Sequence, residues 1–473
     1  MELSKFLIMR SELSLLVVIL LLLIVEIFSS KRDQAALINL ATGFFLLHTI
    51  LGFMPGVEGV LFGGMYQHTA LTEMMKNILN VGVLILLMQS SGWLKMDSNI
   101  GKVSEYFMLT MSTLMGMYFM ISAGDFLMMY LGLELATIPL AALVAYNLKE
   151  MKSIEAGAKF ILLAALSSGI MLFGISLIYG SSGSVIYTEV MGNMNMNTLQ
   201  IVAMVFFLAG LGFKISLVPF HFWTADVYEG APANVAAYLS VISKGASAFV
   251  LVTLLFTVFK DLFAAWEVLL YAMAVLTMTV GNLFALRQQN MQRFLAFSSI
   301  AQAGFILLGI ISGTHYGMTT VIYFVLVYVF SNLGAFGVIS IVQNATGKFR
   351  MDDYSGFYQT NPRLSLVMLL SLFSLAGIPP VAGFFGKFFL FAAAAEQGYY
   401  WLVIIAVLNT IISLYYYLRV VKRMFLERSD KPIALINSDF LTKTSIALSV
   451  VGILVVGVLS QVFDWISLYS WGM

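Results

Sequence analysis

The stretch GFKISLVPFHFW, residues 212–223, sets a lysine, Lys214, and a proline, Pro219, inside an otherwise apolar run. Pro219 lacks an amide donor and its ring crowds the carbonyl of Ile215, so a helix through this stretch breaks beside the lysine. A second stretch, AGIPPVAGFFGKFFLF at 376–391, repeats the pattern: Pro379 and Pro380 interrupt the run, Gly383 and Gly386 loosen it, and Lys387 follows. Paired Gly/Pro-interrupted apolar segments point, in transporters, to an internal repeat and its ion path.

The rest of the chain supports a membrane reading. Of 473 residues, 60% are hydrophobic and 10% charged, against about 25% charged in a soluble domain. At about 20 residues per span, that apolar content fills roughly 14 helices. Apolar runs fall near 12–30, 35–54, 77–94, 104–122, 125–147, 156–180, 199–222, 233–259, 266–286, 294–312, 317–342, 364–395, 400–424 and 441–466. The expected fold is an all-α polytopic membrane protein of about 14 transmembrane helices, with residues 1–473 forming a single membrane domain. Continuous runs without strand alternation argue against a transmembrane barrel. Lys5 and Arg10 precede an apolar run with no A-x-A-like site after it, which reads as a retained first helix and not a cleaved signal.

Composition also excludes chemistries. With 25 Lys and Arg against 24 Asp and Glu, there is no basic excess for nucleic-acid phosphates. No cysteine is present, so no thiolate-held iron–sulfur cluster or Cys-type zinc site can form. His48, His68, His221 and His315 fall in different segments, and no G-x-G-x-x-G or P-loop string occurs. The expectation is a chain without a bound cofactor or metal of its own.

Sorting Lys and Arg by loop parity puts seventeen on one side, among them Lys31 and Arg32, and four on the other, Lys5, Arg10, Lys76 and Lys260. By the positive-inside rule both termini face away from the cytoplasm. Four cations, Lys159, Lys214, Lys244 and Lys387, fall inside apolar runs, and Glu134 lies near the middle of its own run, YLGLELATIP. A charge at the bilayer centre costs at least about 2.5–3.5 kcal/mol, so such residues face a bundle interior or aqueous cavity and mark ion or proton paths. Lys214 is the expected partner of Glu134. Burial disfavours a charged lysine and a nearby carboxylate favours it, so a moving glutamate can switch a lysine between holding and releasing a proton. The relay candidates are Glu134, Lys214, Lys244 and Lys387. Lys159 stands near the start of its run, where it could also snorkel to the interface, and His221 could pass protons at the end of the broken helix. His48 reads as a satisfied histidine inside a span, Glu26 as an interfacial acid, and Arg287 and Arg293 as topology anchors.

GFKISLVPFHFWTADVYEGAPANVAAYLSVISKGASAF (212–249), RFLAFSSIAQAGFILLGI (293–310) and SLAGIPPVAGFFGKFFLF (374–391) resemble the antiporter-like membrane subunits of bacterial proton-translocating NADH:quinone oxidoreductase, respiratory complex I. FWTADVYEGAP favours the subunit N group among them. The resemblance implies two inverted five-helix repeats, spans 4–8 (about 104–259) and 9–13 (about 266–424), between N-terminal spans 1–3 (about 1–103) and a last span at 441–466, with spans 7 and 12 discontinuous. It implies that Glu134 pairs with Lys214, that Lys244 links the half-channels, and that Lys387 stands at the outward exit. It further implies a bacterial inner-membrane location and partners: neighbouring antiporter-like membrane subunits, a peripheral NADH-oxidising arm with FMN and iron–sulfur clusters, and a quinone site elsewhere in the complex. Subunits of cation/proton antiporters share the broken helices and the glutamate–lysine pair, which leaves gradient-driven exchange without NADH oxidation as the competing reading.

Overall fold

The computed structural model describes residues 3–28 and 34–470. In chain order the elements are α1 (Arg10–Phe28), α2 (Gln34–Gly52), β1 (Gly59–Leu61), β2 (Tyr66–His68), α3 (Ala70–Leu94), α4 (Val103–Ile121), α5 (Phe126–Val144), α6 (Met151–Ser182), α7 (Tyr187–Gly192), α8 (Thr198–Ile215), α9 (Phe222–Gly230) and α10 (Ala233–Tyr238). There follow α11 (Lys244–Phe256), α12 (Phe263–Ala285), α13 (Met291–Ile311), α14 (His315–Thr346), α15 (Phe357–Thr360), α16 (Pro362–Ala376), α17 (Ala382–Glu396), α18 (Tyr400–Phe425), α19 (Phe440–Val458) and α20 (Gln461–Ser470). Among the described residues, 12 helices are long and apolar enough to cross a membrane, counting α10 and α11 as one continuous helix. The protein is therefore an all-α, multi-pass membrane protein.

Local chemistry sets the helix ends. Asp125, Asn290, Thr314 and Asp439 cap α5, α13, α14 and α19, each accepting a backbone N–H of the first turn through its side chain. Gly347 closes α14 and Gly377 closes α16 in the left-handed region, at φ 69° and 85°. Leu162, Leu166 and Phe173 stand exposed along α6, as expected of a helix that meets hydrocarbon and not water.

The chain forms two compact units. The first gathers residues up to Leu87, Leu94–Ile215 and Ser243–Val268; the second gathers Met88–Trp93, Ser216–Ile242 and Leu269 onward. In the first unit, α4 and α5 mesh at glycines: a Cβ on Gly116 would lie 2.3 Å from the amide of Ala136, and one on Gly132 would lie 2.8 Å from the Gly116 carbonyl. In the same unit Gly174 of α6 packs against the α8 backbone, 2.7 Å from the Ala203 carbonyl by the same measure, and Gly210 of α8 faces Met171 of α6. The β1–β2 hairpin pairs Gly59 with His68 and Leu61 with Tyr66. Bridges from Tyr66 to Ala123 and from Asp125 to Ile186 tie three loops together at one end of this unit.

Several boundaries differ from the sequence expectation. The third span begins at Ala70 and not near 77, so Lys76 lies inside α3, fully buried, and not in a loop. Its partner, Glu12, is 3% exposed, so Glu134 is not the sole deeply placed acid. Hydropathy misjudged this helix because Glu73 and Lys76 resemble loop residues until their partners are known. The last run is two helices, α19 and α20, separated at Leu459 and Ser460. Lys31 and Arg32 of the charge asymmetry lie outside the described residues.

Candidate functional site

Both helix breaks expected from proline are present. Helix α8 ends at Ile215, one residue after Lys214, and the helix resumes at Phe222. Helix α16 ends at Ala376 and α17 starts at Ala382, five residues before Lys387. Lys244 is 3% exposed and opens α11 directly after a π-helical turn, Leu239–Ser243. Such turns disturb the regular amide ladder and recur at functional sites. The three lysines thus share a setting, each deeply buried and each beside irregular backbone.

In the first unit, Glu134 rises from α5 two residues after the meshed Gly132, and Lys214 from α8 one turn after Gly210. The two do not close into an ion pair. Lys214 Nζ and Glu134 Oε1 are both buried without a hydrogen-bond partner among the described residues. The ammonium stands 5.9 Å from the ring centre of Phe160 on α6, within the range of a cation–π contact. Lys159, next to Phe160, has a 42% exposed side chain paired with Glu155 at 2.7 Å, one turn back on the same helix.

In the second unit, Lys387 is 3% exposed. Its Nζ donates to the Ala376 carbonyl at 3.3 Å, at the end of α16, and stands 4.5 Å from the ring centre of Phe305. The helix break supplies that carbonyl. The turn is held by a backbone approach that only glycine permits, because a Cβ on Gly383 would lie 1.6 Å from the Ser374 carbonyl oxygen. A small cavity beside Lys387 is lined by Gln302, Tyr328, Ser331 and Ser374, polar groups of the kind that hold buried water. From this cavity the Tyr328 hydroxyl shares a hydrogen bond of 2.9 Å with Ser240, in the π turn, and Asn332 donates to it at 2.8 Å. On another side Gln302 donates to Tyr417 at 3.3 Å and to the Leu375 carbonyl at 3.1 Å. Hydroxyl and amide groups thus lie between Ser240 of the π turn and the cavity beside Lys387.

His221 is 9% exposed and stands at the N-terminus of α9, its ring 4.5 Å from that of Phe222. Arg293 does more than anchor topology: one guanidinium nitrogen reaches Asp226 Oδ1 at 2.7 Å and Glu229 Oε2 at 3.0 Å, fastening α9 to the start of α13. His48 is satisfied inside the bundle by Ser14 and Tyr118, both at 2.9 Å. Sequence reasoning missed Tyr328, Asn332 and Gln302 because single polar residues in apolar runs seldom stand out; the (i, i+4) spacing of Tyr328 and Asn332 was the available signal. No group of three or more His, Cys, Asp or Glu side chains converges among the described residues.

Comparison with known proteins places this geometry. Residues 123–413 match the family described as NADH:quinone oxidoreductase/Mrp antiporter, transmembrane. The chain is 47% identical over 468 residues to NADH-quinone oxidoreductase subunit N of Phocaeicola vulgatus, covering 99% of both chains. Among solved structures it is similar to a chain of respiratory complex I from Thermus thermophilus with bound aureothin, at TM-score 0.78 and 28% identity, covering 96% of this chain and 98% of that one. It shares its fold with a chain of the Mrp complex from a Dietzia species, at TM-score 0.87 and 21% identity, covering 99% and 97%. The chain belongs to the NADH:quinone oxidoreductase/Mrp antiporter transmembrane family.

Proposed function

We propose that the chain is an antiporter-like, proton-translocating membrane subunit of an NADH:quinone oxidoreductase, coupling electron transfer from NADH to quinone in other subunits to proton movement through its own buried side chains. One observation carries the reading: Glu134 Oε1 and Lys214 Nζ are both buried atoms without a hydrogen-bond partner among the described residues, left open to each other. An open pair lets the carboxylate approach and favour lysine's charged form, then withdraw and favour release.

In this reading Glu134 sets the charge of Lys214, Lys244 takes the proton onward, and Lys387 delivers it. The chain Ser240–Tyr328 and the polar cavity at Lys387 support the second half of the path. His221 serves as a lateral proton donor or acceptor, and Lys159, in contact with Glu155, as an entry group. The fourteen-span count, the repeats at about 104–259 and 266–424, the inner-membrane location and termini facing away from the cytoplasm complete the proposal. FMN, iron–sulfur clusters and quinone reside in partner subunits, and the membrane neighbours are antiporter-like.

Inverted membrane vesicles carrying Lys214→Met test this, with NADH:quinone electron flux and NADH-driven proton uptake recorded together and assembly followed on a native gel. A loss of pumping in the assembled complex, with or without loss of flux, is expected. Unchanged flux and pumping with the variant fully incorporated overturn the relay. Absence of the unaltered chain from the NADH-oxidising complex would favour a cation/proton antiporter.

A further inference from the structure

The relay uses none of the first three helices, yet these hold a second buried glutamate–lysine pair. Lys76 is 0% exposed and Glu12 is 3% exposed. Lys76 Nζ donates to Glu12 Oε1 at 2.5 Å and to the Tyr66 hydroxyl at 3.3 Å, and that hydroxyl donates to Glu12 Oε2 at 2.9 Å. All three side chains belong to the first compact unit.

The surroundings are ordered by depth. On α3, Glu73, Lys76 and Asn80 follow one another at i, i+3 and i+7 and so share one face. On β2, Tyr66 and His68 share one face. At the outer level Glu73 meets Arg10 and stands 3.6 Å from His68 Nε2, with the Arg10 and Glu73 side chains 25% and 15% exposed. At the middle level lies the sealed triangle of Glu12, Lys76 and Tyr66. At the inner level Asn80 accepts from the Tyr118 hydroxyl, which contacts His48 Nε2 at 2.9 Å, while His48 Nδ1 contacts Ser14 at 2.9 Å. The Lys76 ammonium stands 5.5 Å from the Tyr118 ring centre, joining the middle level to the inner one.

Removing two ions from water is costly, and well-packed apolar residues often serve stability as well or better. Here the pair is instead continued on both sides by groups that donate and accept protons. We infer that Glu12, Lys76 and Tyr66 form a second proton-exchanging site, loaded from the aqueous phase through Glu73 and His68, with Arg10 as the fixed charge beside Glu73, and separate from the Glu134–Lys214 pair. The exchange conserves atoms and charge: the proton on Lys76 Nζ passes to Glu12, directly to Oε1 or through the Tyr66 hydroxyl to Oε2, converting an ammonium–carboxylate pair into a neutral amine–carboxylic acid pair. Among the described residues, the charged and titratable groups around the pair are Arg10 from α1, His48 from α2, His68 from β2, Glu73 from α3 and Tyr118 from α4.

The inference rests on the proton-translocating reading, and its test separates the two. Assembled complex carrying Glu12→Gln/Lys76→Met, which neutralises both partners together, is compared in vesicles with Lys214→Met and with unaltered complex. Proton uptake and the infrared difference spectrum on NADH reduction are recorded for each. The expected result is normal assembly, pumping reduced several-fold, and loss of a carboxyl band present in the unaltered complex. Full pumping in the double variant overturns the inference, and so does an unchanged carboxyl band. If Lys214→Met also pumps normally, it is the main relay that fails, while the carboxyl band still decides this site. Should the double variant not accumulate, Tyr66→Phe, which keeps both charges and removes the linking hydroxyl, is expected to shift the band; an unshifted band overturns the inference.

Discussion

Gly383 lies against Ser374 so closely that a Cβ would fall 1.6 Å from the serine carbonyl oxygen, while the Gly383 amide donates to the Ser374 hydroxyl at 3.0 Å. The obstacle is backbone, which has no rotamer to escape into. Gly383→Ala is expected to destabilise the chain by more than about 1–3 kcal/mol and to move Lys387 off the Ala376 carbonyl. Recovery of folded protein and the thermal midpoint in detergent measure this.

Tyr328 is the hinge between the π turn and the Lys387 cavity, through its hydroxyl alone. Tyr328→Phe keeps the ring and removes the contacts to Ser240 and Asn332. Assembly is expected to survive with NADH-driven proton uptake several-fold slower, measured in vesicles against electron flux. Equal pumping in the Phe variant would take Tyr328 out of the path.

Arg293 holds Asp226 and Glu229 with one nitrogen at 2.7 and 3.0 Å. Arg293→Lys keeps the charge but not the rigid, planar guanidinium that directs one nitrogen to both acids. Because all three groups are partly exposed, the expected loss is about 1 kcal/mol, read as a small drop in thermal midpoint; a value several times larger would mean that a buried network depends on this arginine.

Asp125 caps α5 by accepting from the Met128 amide at 2.7 Å, and burial pushes its carboxyl above the usual carboxylate range. For an acid whose folded value is raised, the native state binds the proton more tightly than the unfolded chain. Its contribution is therefore largest below the ordinary carboxylate range and declines as pH rises through the raised value. Asp125→Asn keeps an acceptor at the cap and is expected to remove this part of the pH dependence with little change in stability at low pH. Asp125→Ala is expected to cost about 1 kcal/mol. Thermal midpoints across a pH series distinguish the two.

What was readable in the sequence followed from chemistry local to the chain. Pro219 announces the end of α8 beside Lys214, and Pro379 with Pro380 announce the gap before α17, because proline acts on its own turn. The Glu12–Lys76 pair was hidden because its partners are 64 positions apart, and each alone looks like a loop charge. Arg293 was read as an anchor for the same reason, its acids lying 64 and 67 positions away. Lys159 shows the opposite limit: its place near the start of its run left both a relay role and snorkelling open, and its side chain turns outward to Glu155 within one turn of the same helix.

The glycine meshing in the first unit fixes which mechanical freedoms remain. With backbone against backbone at Gly116 and Gly132, α4 and α5 cannot roll or slide past one another without collision; Gly174 sets α6 against the α8 backbone in the same way, and Gly210 makes room on α8 for the Met171 side chain of α6. Glu134 is thereby carried by one stiff plate and Lys214 by another. Their separation has two adjustable coordinates: the rotamers of the two side chains, and the slip of one helix pair as a body along the other. A bulky residue at any of the four glycines would pry a plate apart, turning a gap of set width into one that drifts.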